Sequence, residues 1–202
     1  MNHLLNEEQF PAGFLPAWFE ARRRHALEQA EQLPEPSRHM ESWRFGAPGN
    51  ESLEHVEAAP PAAPETLAPI IRERASMPEA LRIVYANGLP VSIPEELPEG
   101  LSVMDMEDFV LQCPDTARKY LETETETLGS EKLSALATAF QHNGLVIMAD
   151  REISLPLEIL HFISGDNVAV FPSTLLIAET GSRLRILERH LSADHGRQFC
   201  GA

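Results

Sequence analysis

Leu145-Val-Ile-Met148, Glu158-Ile-Leu-His-Phe-Ile163, Val168-Ala-Val-Phe171, Thr174-Leu-Leu-Ile-Ala178 and Arg183-Leu-Arg-Ile-Leu-Glu-Arg-His190 are five strand-forming runs in the last third of the chain. Asp150, Gly165-Asp166, Gly181-Ser182 and Gly196 punctuate them, residues that accept turn backbone or supply local side-chain hydrogen bonds. No helical pattern intervenes, so residues from 145 onward read as all-β. Arg183–His190 alternates cleanly, whereas Leu175-Leu-Ile177 is a continuous apolar run suited to burial on both faces. A sandwich, a jelly roll or the rungs of a β-solenoid would each use such runs. Their starts near 145, 158, 174 and 183 are unevenly spaced, and no strict repeat is predicted from them.

Upstream, the pattern is helical and interrupted. Sixteen prolines crowd around 34–36, 60–64 and 90–98 and are absent from 115–155. After Pro16, residues Trp18, Phe19, Ala26, Ala30 and Leu33 recur at helical spacing until Pro34 stops them. The polar side of that helix, with Arg22, Arg23 and Arg24, reads as a solvated face. Residues 34–63 read as an extended connector whose ordered patch is Trp43-Arg44-Phe45, with Trp43 as a buried anchor. A short helix is expected over 65–75, with Pro69 in its first turn or bending it. Leu81-Arg-Ile-Val-Tyr-Ala86 and Leu89-Pro-Val-Ser-Ile93 flank Asn87-Gly88, which predicts a hairpin closed by a type I′ turn. Pro90 cannot donate to a ladder, so its strand belongs at an edge. Asp105 and Ser130 are the expected caps of two further helices, Pro114 stops the first, and Asn143-Gly144 stops the second. Glu122-Thr-Glu-Thr-Glu-Thr127 has no apolar face and reads as a solvated loop.

The chain has 202 residues, 16 Lys plus Arg against 31 Asp plus Glu, and a formal charge of −15 shared by both halves. Such a chain repels phosphate backbones, and nucleic acid is excluded as the expected partner. No apolar run approaches the ~20 residues that span a bilayer, and no basic region precedes an apolar one at the N-terminus. A cytoplasmic location is the expectation. Two cysteines, Cys113 and Cys200, are then expected to be free thiols.

Catalytic signatures are absent: no Walker loop, G-x-G-x-x-G after a strand, H-E-x-x-H, C-x-x-C or G-x-S-x-G. Helices precede strands in two blocks, which favours α+β over a doubly wound sheet. His190, His195 and Cys200 carry ligand chemistry at the spacing H-x4-H-x4-C, which matches no tight metal site, and surface or capping roles are expected for them. Cys113 reads as a small buried hydrophobe; a nucleophilic role would need His142 or His161 beside it. Glu95-Glu96 and Asp105, Glu107 and Asp108 are explained by turns and caps. No catalytic, cofactor-binding or metal residue is assigned.

Four stretches together resemble the SufB/SufD family of the SUF iron–sulfur cluster assembly machinery, its SufD branch more than its SufB branch. They are Leu15-Pro-Ala-Trp18 through Arg22 with Glu41-Ser-Trp-Arg-Phe45; Ile83-Val-Tyr-Ala-Asn-Gly88; Leu133 to Phe140 with Gly144-Leu-Val-Ile147 and Leu155-Pro-Leu-Glu-Ile159; and Phe171-Pro172 through Gly181 to Glu188. The resemblance implies a helical and α+β domain with a hairpin over 1–143, and the first rungs of a right-handed parallel β-helix over 144–202. It also implies scaffold work without catalysis: pairing with SufB, engagement of the ATPase SufC, and a cluster assembled on the complex with no cofactor bound by this portion. The family's pairing surface, cluster-linked cysteine and histidine positions and SufC-binding segment would lie beyond residue 202. An unfinished solenoid would expose a β-edge at Ala202 and invite either a longer chain or self-association. Two other readings compete. One is a β-solenoid carbohydrate enzyme or a cupin-like metal enzyme using His190 and His195; the other is a plain interaction module.

Overall fold

The computed structural model describes residues 5, 6, 8, 10, 15–45, 53, 56–62, 64–122, 130–141 and 144–201. The expected loop over 123–127, Asn143 of the helix stop, His142 and Ala202 lie outside the described residues.

Helix α1 (Ala17–Gln32) starts where expected: Pro16 precedes it, and the Phe19 and Glu20 amides bond to the Pro16 carbonyl. Its inward face is Phe19, Arg23, Ala26, Leu27 and Ala30, three or four residues apart. Arg23 corrects the solvated reading of that helix. Its side chain is fully buried; Nε donates to the Ala139 carbonyl at 2.9 Å, Nη1 pairs with Glu20 at 3.2 Å, and the guanidinium lies 4.3 Å from the Phe10 ring centroid. A 3₁₀ turn follows at Glu41–Trp43. Trp43 is only half-buried and Phe45 is 96% exposed, so the expected aromatic lock does not close as a unit.

A two-residue strand β1 (Glu57–Ala58) precedes α2 (Pro64–Arg74), which runs on past Pro69 although that residue lies beyond its first turn. Strands β2 (Leu81–Ala86) and β3 (Leu89–Ser92) form the expected hairpin. Asn87 and Gly88 have φ of 48° and 79°, the paired positive values a type I′ turn requires. Strand β4 (Leu101–Asp105) leads into α3 (Met106–Gln112), where Asp105 accepts the Asp108 amide at 2.8 Å as a cap. Helix α4 (Pro114–Leu121) begins at Pro114, and α5 (Glu131–Ala139) is capped by the Ser130 hydroxyl on the Leu133 amide. Six strands complete the chain: β5 (Leu145–Ala149), β6 (Leu157–Ile163), β7 (Val168–Val170), β8 (Thr174–Ala178), β9 (Ile186–Ser192) and β10 (Gln198–Cys200).

These six pair in order and in parallel: β5 with β8, β6 with β9, β7 with β10. Register partners lie 29, 29 and 30 positions apart, as in Leu145↔Thr174, Leu157↔Ile186 and Val168↔Gln198. A repeat is therefore present, against the expectation from the run starts. It relates every third strand, whereas the intervals between consecutive strands are set by turn lengths and look irregular. Upstream strands extend all three sheets. The orders are β4-β5-β8, β3-β2-β6-β9 and β1-β7-β10, with β4 antiparallel to β5, β3 antiparallel to β2, β1 parallel to β7 and β2 parallel to β6. Pro90 sits on the edge strand β3, as its missing N–H demands. The protein is thus mixed α and β, with parallel and mixed sheets each built from both sides of residue 143.

Alternation along the strands buries both faces of the central sheet. Ile83, Ile159 and Leu157 pack with Ile147 and Ala149 of the neighbouring sheet, while Val84, Leu160 and Phe162 pack under Leu67, Ile70 and Ile71 of α2. Helices α1 and α5 close over Ala169 and Phe171, and α3 and α4 close over Val146 and Ile177. One buried charge ties α2 to this layer. The Glu158 carboxylate is fully buried and accepts the Ser76 amide and hydroxyl at 2.8 and 2.7 Å and Arg82 Nε at 2.9 Å. Among the described residues, no helix is long and apolar enough to cross a membrane.

Candidate functional site

The parallel register of β2, β6 and β9 puts Tyr85, His161 and His190 in one row, because Tyr85 pairs with His161 and His161 with His190. In a parallel ladder, side chains at matched positions lie on the same face and stack. The two imidazoles do so at 4.8 Å between centroids with planes 7° apart, and Tyr85 is 5.5 Å from His161 at a tilt of 38°. His161 is 4% exposed. Two residues before His190 on the same strand face, Glu188 reaches across to His161, with Oε1 at 2.8 Å from Nε2. Thr174 of β8 donates its hydroxyl to the same oxygen at 2.7 Å. At the far end of the row, Cys200 Sγ lies 3.5 Å from His190 Nδ1.

Electrostatics place the negative charge of this column on Glu188. The His161 hydrogen bond holds the Glu188 carboxyl below its ordinary value, against a smaller opposing effect of burial, with Thr174 adding to the lowering. A carboxylate needs a donor, so His161 Nε2 carries the proton. Burial pushes His190 below the ordinary imidazole value; His161 adds to the effect and Glu188 opposes it. Burial, reinforced by Glu188, pushes the Cys200 thiol up to about 11. The thiol, held protonated, meets His190 Nδ1. It is not an activated nucleophile.

The residues singled out from sequence divide accordingly. His190 and Cys200 are brought together. His195 is exposed in the bend between β9 and β10. Cys113 is half-buried between α3 and α4, against the Phe19 and Phe109 core, while His161 belongs to the column in the β-layer. Glu95 and Glu96 are exposed in a turn, Asp105 caps α3, and Asp108 accepts from Gln112 at 3.1 Å. Among the described residues, no three His, Cys, Asp or Glu side chains converge as a metal site. Sequence reasoning missed the column centred on His161, Glu188 and Thr174. Its one available signal was the separation of His161 from His190, which equals the 29-residue register offset of their strands.

No model of a known protein family matches the chain. Over 187 residues, 88% of this chain, it is 24% identical to the iron–sulfur cluster assembly protein SufD of Bacillus subtilis (strain 168), and it spans 42% of that relative's length. The chain is distantly SufD-like, over a stretch shorter than half of the protein it resembles.

Proposed function

We propose that this chain is the N-terminal portion of a non-catalytic, SufD-like scaffold subunit of iron–sulfur cluster assembly. The observation that carries the reading is the in-order parallel pairing of β5, β6 and β7 with β8, β9 and β10 at a nearly constant offset. Two three-stranded turns of a right-handed parallel β-helix would pair in this way, and the SufD likeness covers 88% of the chain. In this reading residues 144–202 begin the helix. Residues 1–143 form a helical and α+β domain that supplies its first layer through β1, β2 and β4. A scaffold of this kind binds no cofactor in this portion and acts in the cytoplasm through partners, SufB and the ATPase SufC. The test is co-purification of the complete protein with SufB and SufC from its own cells. Recovery of both supports the scaffold role; recovery of neither under gentle conditions sinks it.

A further inference from the structure

Asn87, the first residue of the hairpin turn, makes more hydrogen bonds than the turn needs. Its φ of 48° and the 79° of Gly88 already fold β3 back onto β2. Its carboxamide bonds outside the hairpin. Nδ2 donates to the Pro60 carbonyl at 2.7 Å, the Ser164 carbonyl at 3.1 Å and the Ser164 hydroxyl at 3.4 Å, and Oδ1 accepts the Ser164 amide at 2.9 Å. Pro60 belongs to a strap, residues 57–62, whose strand β1 covers the edge of β7 on the side away from β10. Backbone bonds from the Glu57 amide to Asn167 and from the Ala59 amide to Ala169 lay the strap along β7, and Ala59 packs against Ile163, Val168 and Val170. The Asn87 carboxamide thus pins the strap to the hairpin and to the end of β6 at one point.

Asparagine before glycine is chemically labile, since glycine has no Cβ to shield its own nitrogen. The Gly88 nitrogen attacks Asn87 Cγ, the Cγ–Nδ2 bond breaks, and ammonia leaves with the Gly88 amide proton. Water then opens the cyclic imide and restores the Gly88 N–H, leaving aspartate or, where the chain reroutes through Cγ, isoaspartate. Water enters, ammonia departs, and nothing is oxidised or reduced. Ring closure turns the carboxamide toward its own chain and out of its bonds to Pro60 and Ser164, so the clasped form resists it. We infer that Asn87 is a one-way deamidation clasp: it converts when the strap lifts, and once converted it keeps the strap off the β7 edge. A carboxylate has no donor, and it would face the Pro60 and Ser164 carbonyls, both acceptors, where the amide donated. Isoaspartate also adds a backbone atom to a two-residue turn. The edge laid bare is Val168–Val170, a buried apolar strand whose unpaired backbone would template further strand pairing.

The test ages the full-length protein in mildly alkaline buffer, native and in urea, and reads deamidation at Asn87 by peptide mass spectrometry. The native rate is expected to be about tenfold or more below the rate in urea. Ala59→Pro removes the amide that bonds Ala169 and leaves Asn87 in place, so it should speed native deamidation about threefold or more while hydrogen exchange at Ile159 and Leu160 of β6 stays as in wild type. Equal rates in buffer and urea, or no acceleration in Ala59→Pro, overturn the clasp. Release is read on Asn87→Asp, where exchange at the Glu57 and Ala59 amides should rise about tenfold with β6 unchanged. Unchanged protection at Glu57 and Ala59 overturns it. Should either variant fail to fold, the deamidated fraction of aged wild type, separated by its added negative charge on an anion exchanger, gives the same exchange reading against the intact fraction.

Discussion

Cys200 stands opposite Val170 in the β7/β10 register, as His190 stands opposite His161 in the β6/β9 register. Successive turns of the chain thus repeat an imidazole and exchange an apolar residue for a thiol. Among the described residues, the ring in the first turn has an unpartnered Nδ1, and the ring in the second has one that meets sulfur.

The hub beneath α2 gives the largest expected stability effect. Glu158 is fully buried and holds Ser76 and Arg82, so Glu158→Ala leaves Arg82 without its anion and the Ser76 amide without an acceptor. A loss of about 3 kcal/mol is expected in chemical denaturation. A midpoint within error of wild type would show that α2 docks without this charge.

Acid should destabilise the protein in two windows. Burial tends to raise the Glu158 carboxyl, but the Ser76 hydrogen bonds and Arg82 outweigh it and hold it below its ordinary value of 4.5; Glu188 is lowered too. Their contribution is present above about pH 4.5 and is lost as pH falls below it. His190, lowered from 6.5, takes its proton later in the folded than in the unfolded chain, so stability begins to fall already below about pH 6.5. Tm measured against pH should show both declines, and His190→Phe should remove the upper one alone.

The bend before β10 tolerates no side chain. A Cβ on Gly196 would lie 2.7 Å from the carbonyl carbon of Gly165, so the two turns could no longer stack. Gly196→Ala is expected to cost about 1–3 kcal/mol and to loosen β10 first. Hydrogen exchange at Phe199 and Cys200 should report it, and unchanged protection there would contradict the stacking.

Arg23 earns its burial by its stem as much as by its charge. Arg23→Ala removes the bond to the Ala139 carbonyl and the contact with Phe10, with an expected loss of about 2–3 kcal/mol, whereas Arg23→Met refills the space and should cost less. Thermal denaturation of the pair checks the order; equal losses would place the effect in the charge alone.

Phe45 should be silent. At 96% exposure its truncation to Ala is expected within about 0.5 kcal/mol of wild type, while Trp43→Ala, removing a half-buried ring, should cost more. Equal and large losses in both variants would mean that the three residues act as one anchor after all.

Local chemistry settled much of this protein in advance. Pro16 and Pro34 bound α1, Asn87-Gly88 turned the hairpin, Pro90 chose an edge, and Asp105 and Ser130 capped their helices, because each acts through its own backbone or the next few residues. The run from 145 onward was legible as strands for the same reason. The pairing was not. Parallel register joins residues some thirty positions apart, and the repeat appears only when every third strand is compared. The fate of single polar side chains was equally a tertiary matter. Arg23 is on a face that reads as solvated, yet α5 and Phe10 cover it; His161, Glu188 and Thr174 share no local motif, yet three strands bring them within hydrogen-bond reach. Spacing reports the direction a side chain takes from its own element. What meets it there is set by the element that packs opposite.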